Sequence, residues 1–137
     1  MKIFLGILLL LLFSFCKKKD TKPKPLNELF DASQSKLIKQ GCLNSNAHGV
    51  SGTIKLYKTG GLKTLSFEGF NSESGPDLKV YLSTSTGNSD VKELGSLKAN
   101  AGNFYYQFDS TINTTTYNYV LVWCKQYSVL FGNTKLQ

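Results

Sequence analysis

The stretch "YVLVWCKQYSVLFG", Tyr119 to Gly132, decides the fold. Its first six residues are apolar on both alternating sets: Val120, Val122 and Cys124 on one, Tyr119, Leu121 and Trp123 on the other. Such a segment reads as a central strand covered on both sides. "KQ" interrupts it, "YSVLF" reads as the next strand, and Gly132-Asn133 reads as a turn into "TKLQ". Cys124 therefore ends a buried strand where the chain turns polar. It can be a buried thiol, half of a disulfide, a metal or haem ligand, or a reactive group.

Working outward, the same period of two recurs. Ile54 and Leu56 alternate with Thr53, Lys55 and Tyr57; Leu65 and Phe67 with Thr64, Ser66 and Glu68. Leu78, Val80 and Leu82 alternate with Lys79 and Tyr81, and Phe104, Tyr106 and Phe108 make one face. Gly60-Gly61 between two such runs is a hairpin signal. Alternation rich in valine, threonine and aromatics predicts half-buried antiparallel strands. The chain is expected to be all-β, an antiparallel β-sandwich of about seven to nine short strands. The aromatic side chains at strand spacing read as core and cross-strand pairs. "LNELFDASQSKLIKQ" (26–40) is ambiguous between a short helix and a disordered stretch.

The N-terminal end has a different character. Residues 1–15, "MKIFLGILLLLLFSF", carry one lysine and then 13 apolar-run residues from Ile3 to Phe15. As a helix that run is ~20 Å long, short of a ~30 Å bilayer core. A basic start before such a run is the pattern of a signal peptide. "LFSFC" resembles a bacterial lipobox, with Cys16 as the lipidated residue and Phe15 where a small residue is usual. Acyl chains on Cys16 would hold the protein on a membrane at ~0.8 kcal/mol per buried methylene. Residues 16–35 are then a flexible basic tether and 36–137 the folded domain. The expected location is the cell envelope, anchored in the outer membrane.

The formal net charge of +7 belongs mostly to this end. "KKKDTKPKP" (17–25) has five lysines against Asp20, whereas residues from Leu26 onward have ten lysines against eight acids. The tether can pair with anionic headgroups or act as a solvated spacer. The chain has no arginine, the residue suited to bidentate reading of guanine and phosphate, which argues against nucleic-acid binding.

Several motifs together resemble one family. "SGPDLKVYLS" (74–83), "LGSLKANAGNFYYQF" (94–108) and "YNYVLVWCKQYSVLFGNTKL" (117–136), after "AHGVSGTIKLY" (47–57), are similar to the DM-thirteen domain. The resemblance covers about residues 40 to 137. It implies a β-sandwich that acts in electron transfer through its cysteine, beside a redox partner protein. By position Cys124 is the family's cysteine, and Gly75, Pro76 and Asp77 match its signature turn. His48 matches a histidine before the glycine turn, with Gly49 where a proline is common.

The candidate residues admit more than one role. With Cys16 lipidated, Cys42 and Cys124 remain, the number one bridge needs. That bridge would close a loop of about 80 residues and contribute ~4.5 kcal/mol in the chain-entropy model. Both cysteines are also redox candidates, although no Cys-x-x-Cys lowers a thiol pKa. His48, Asp77 and Trp123 are possible neighbours of the site. Asp77 after Pro76 equally suits backbone capping in a turn, and His48 suits an exposed loop. One histidine and no Cys-x-x-Cys-His make a haem site weakly supported. A zinc site from Cys42, His48, Cys124 and a carboxylate matches no common spacing, so no metal site is expected. No hydrolytic triad or phosphate loop is present. Two functions follow: a redox-associated module centred on Cys124, or a non-catalytic envelope scaffold whose Cys42–Cys124 disulfide holds the fold.

Overall fold

The computed structural model describes residues 25–137. The signal-like segment, Cys16 and most of the lysine-rich tether lie outside the described residues. Ten strands follow one another: β1 (Leu26–Asn27), β2 (Lys36–Cys42), β3 (Asn44–Ser45), β4 (Val50–Thr59), β5 (Leu62–Ser72), β6 (Leu78–Ser83), β7 (Val91–Ser96), β8 (Ala101–Asp109), β9 (Tyr119–Cys124) and β10 (Val129–Lys135). They form two five-stranded sheets, ordered β1-β8-β5-β4-β2 and β3-β10-β9-β6-β7. Every pairing is antiparallel except β1 with β8. The fold is the expected β-sandwich, with no helix among the described residues.

The alternating residues do what their period dictates. Ile54, Leu56, Leu65, Phe67, Phe104, Val80, Leu82, Val120 and Val122 are fully buried between the sheets. Each stabilises the fold by about 1.5–3 kcal/mol through removal from water. Phe67 stacks on Phe104 at 5.0 Å, with Phe70 and Tyr106 edge-on to the pair. β9 is the middle strand of its sheet. It sends Val120, Val122 and Cys124 into this core, while Leu121 and Trp123 join Tyr81 in a second cluster on the opposite face. The Gly60-Gly61 turn joins β4 to β5, with Thr59 facing Leu62.

Two stretches depart from the expectation. The ambiguous segment is neither helical nor detached: β1 pairs with Gly102 and Asn103 of β8. Phe30 then packs on Tyr57 and Tyr105 at 5.4 and 5.3 Å, and Lys98 pairs with Glu28 at 2.8 Å. Gly132 does not turn the chain. β10 runs through it to Lys135, with a bulge between Leu130 and Gly132. A Cβ there would sit 2.6 Å from Cβ of Val50, so the glycine permits close approach of the two sheets.

Among the inward-facing polar groups, Tyr106 and Lys63 tie separate segments together. The Tyr106 hydroxyl donates to the Ser96 carbonyl at 2.8 Å and accepts from the Lys98 N–H at 3.0 Å, tying β8 to the chain leaving β7. Burial pushes its pKa up to about 12. Lys63 donates to the Ile112 carbonyl at 2.7 Å and to the Thr114 hydroxyl at 3.2 Å, closing one end of the sandwich. Burial, then Lys58 and Lys39, holds its pKa below the usual lysine value.

Candidate functional site

β9 ends at Cys124, and the turn 125–128 leads into β10, with Ser128 left-handed at φ 52°. Antiparallel pairing sets Cys124 opposite Leu78 at the start of β6 and opposite Val129. The Gly75-Pro76-Asp77 turn that feeds β6 is fastened to the same end of the sheet: the Lys125 N–H donates to the Asp77 carbonyl at 2.9 Å. A third segment closes in from the β3–β4 loop. There the N–H groups of Asn46 and Ala47 donate to the carbonyls of Phe131 and Leu130 at 2.8 and 3.1 Å.

These three segments enclose a cleft of about 300 Å³ lined by His48, Ser74, Gly75, Pro76, Cys124, Tyr127, Val129 and Phe131. Cys124 is its most enclosed polar group, at 1% exposure. The His48 ring lies over Phe131, with centroids 4.1 Å apart and planes inclined by 33°. Its Nδ1 is 3.2 Å from Oε2 of Glu73, which also accepts the Gly49 N–H at 2.6 Å. Gly75 is glycine for space: a Cβ would lie 2.9 Å from Cζ of Phe131 and 3.0 Å from Cδ2 of Leu78.

The expected site residues divide into two groups. His48, Gly75, Pro76 and Cys124 meet at one cleft. Cys42, Asp77 and Trp123 do not line it. Trp123 is on the opposite face of the sheet, 6.5 Å from Tyr81. Asp77 lines a neighbouring polar cleft of about 220 Å³ with Ser96 and Asn100. Its carboxylate pairs with Lys79 at 3.0 Å, where a backbone cap was the expectation.

The Cys42–Cys124 disulfide is overturned: both are free thiols, Cys42 exposed and Cys124 buried. Cys42 ends β2 opposite Thr53, one residue out of phase with the core residue Ile54, so it faces away from the core. Cys124 belongs to the other sheet and faces inward. Packed sheets are ~10 Å apart, whereas a bridge needs Cα atoms within about 7 Å and converging Cβ vectors.

Glu73, Tyr127, Val129 and Phe131 complete the site and carry no sequence signal for it. Glu73 stands 25 residues from His48 in a serine-rich turn with no motif of its own. Among the described residues no group of three or more histidine, cysteine or acidic side chains is disposed to hold a metal ion. A haem does not suit the cleft either. Its volume of about 300 Å³ is at the lower end for small-molecule sites, and one imidazole lines it.

The architecture and site define a class: a small two-sheet β-sandwich with a free thiol at the base of a mostly apolar cleft. Residues 42–136 match the family described as electron transfer DM13, and the chain belongs to that family. No curated protein and no solved structure matches the chain.

Proposed function

We propose that this protein is an exported, membrane-anchored lipoprotein whose DM13 domain serves electron transfer through the Cys124 thiol. The observation that carries the reading is the free Cys124 thiol lining a cleft with the chain's only histidine. Export and anchoring rest on the apolar run of residues 3–15 ending at Cys16, with the lysine-rich tether beside the headgroups.

The chemistry is thiol–disulfide exchange. The Cys124 thiolate attacks one sulfur of an acceptor disulfide; that S–S bond breaks, a Cys124 mixed disulfide forms, and the released sulfur takes up the proton. A donor dithiol then displaces the mixed disulfide in two exchanges. It restores the Cys124 thiol, releases the second acceptor thiol and departs as a disulfide. Two electrons and two protons pass from donor to acceptor. The acceptor disulfide is either a small molecule held in the cleft or one carried on an extended loop of a redox partner protein.

The test uses the full chain in detergent with Cys42→Ser, because exposed Cys42 would react as well. Incubation with glutathione disulfide should add one glutathione at Cys124, reversible by dithiothreitol, and none to a variant that also carries Cys124→Ser. A folded protein that takes up no glutathione, and none from a loop peptide disulfide, contradicts the reading. Uptake from the peptide alone assigns the acceptor to a protein partner. The same mass spectra report acyl chains on Cys16, and an unmodified Cys16 in exported protein contradicts the anchoring.

A further inference from the structure

We propose that His48 is the proton acceptor for the Cys124 thiol and that Glu73 is the positioning residue that fits it for this task. The inference rests on the Cys124 reading above.

The imidazole is held from three sides. Its ring packs on Phe131, Nδ1 faces Glu73 Oε2, and the loop beneath is tied to β10 through Asn46 and Ala47. The carboxylate is itself fixed. Oε2 receives the Gly49 N–H, and the Glu73 N–H donates to the Gly49 carbonyl at 3.0 Å. A carboxylate oxygen only accepts, so the proton of the neutral imidazole is on Nδ1 and the lone pair on Nε2. Nucleophile, base and a third group orienting the base activate a weak nucleophile once the first two come within hydrogen-bond reach; here the orienting contact is made, and thiol and imidazole share the cleft without a direct hydrogen bond. His48 and Cys124 line the same cleft, and no lysine lines it.

Stability gives little reason for the pair. The His48 and Glu73 side chains are 45% and 59% exposed, and ion pairs so open to water contribute about 0–1 kcal/mol. The step is a proton transfer from Sγ to Nε2 across the cleft, direct or through one water, leaving a thiolate for the exchange and an imidazolium whose charge Glu73 offsets. The imidazolium then returns the proton to the departing sulfur.

The test follows Cys124 alkylation by iodoacetamide from pH 5 to 10, in the full chain with Cys42→Ser. The thiolate displaces iodide, so the rate reports thiolate formation directly. Near pH 7, His48→Asn and Glu73→Gln should each slow the reaction about tenfold or more. Toward the alkaline end of the range the variants should converge on the parent, because hydroxide then removes the thiol proton without help from a base. Glu73→Asp should recover much of the neutral rate. A merely structural role predicts slowing at every pH and no convergence, which overturns the proposal. Identical profiles for all four proteins also overturn it and leave Cys124 redox chemistry standing. A Cys124 that never reacts while folded overturns both. Should either variant unfold, NMR of the His48 ring in the parent at pH 7 decides. Its resonances should move when Cys124 is alkylated, and unmoved resonances contradict the proposal.

Discussion

Replacing Tyr106 with phenylalanine removes one oxygen and tests how the two sheets are joined. The ring is buried against Phe67 and Phe104, so the phenylalanine ring occupies the same space. The lost hydroxyl leaves the Ser96 carbonyl and the Lys98 N–H without their partner. Both bonds are part-buried, and each contributes about 0.5–1.5 kcal/mol, so Tyr106→Phe should lose about 1–3 kcal/mol. The parent protein should also weaken in alkali for a reason the variant lacks. Folded Tyr106 holds its proton to about 12, whereas an unfolded tyrosine ionises near 10. The native state therefore binds more protons over this window. The associated stability is complete below pH 10 and is lost as pH rises through 12. At 1.36 kcal/mol per unit, the full loss is on the order of 3 kcal/mol. Urea unfolding followed by Trp123 fluorescence, at pH 8 and at about pH 11.5, measures both effects. Tyr81 and Tyr117, whose pKa values are also raised, are common to both proteins and cancel. Equal stability at pH 8, or parallel alkaline losses, would refute the reasoning.

Three further substitutions probe the core and the cleft. Gly75→Ala pushes a methyl against Phe131 and Leu78, so urea unfolding should show a loss of about 1–3 kcal/mol and Cys124 alkylation should slow. Cys42→Ser changes an exposed, unbridged side chain and should shift stability by less than about 0.5 kcal/mol in the same assay. A drop of several kcal/mol there would mean that a bridge exists after all. Phe67→Ala empties a fully buried site stacked on Phe104 and should cost about 3–5 kcal/mol, measured as a lower urea midpoint.

The strands were legible wherever one face is apolar for several residues. Ile54 with Leu56, Leu65 with Phe67, and the two-faced apolar run of β9 each specify a strand and its inward side. Thr64 and Ser66 alternate with the core residues yet are buried too, on the face where Phe30 folds back over Tyr57 and Tyr105. That packing depends on β1, a two-residue strand too short to show any period. The site was half legible. The motif residues Gly75, Pro76 and Cys124 lie on regular strands or fixed turns. The His48–Glu73 contact joins two loops, where no periodicity exists to read. The failed disulfide has the same origin. Two cysteines suggest a bridge, but the face each occupies is set by register, and β2 shifts register at Leu37–Lys39 before it reaches Cys42.

Access to Cys124 through its cleft is the central claim, and the urea dependence of its reactivity tests it most directly. Alkylation in the Cys42→Ser background should proceed at a rate unchanged by urea concentrations too low to unfold the protein. A thiol reached only through global unfolding would instead react faster with every increment of urea, in step with the unfolding equilibrium. That second result would make Cys124 a buried core side chain and contradict the electron-transfer role proposed for it.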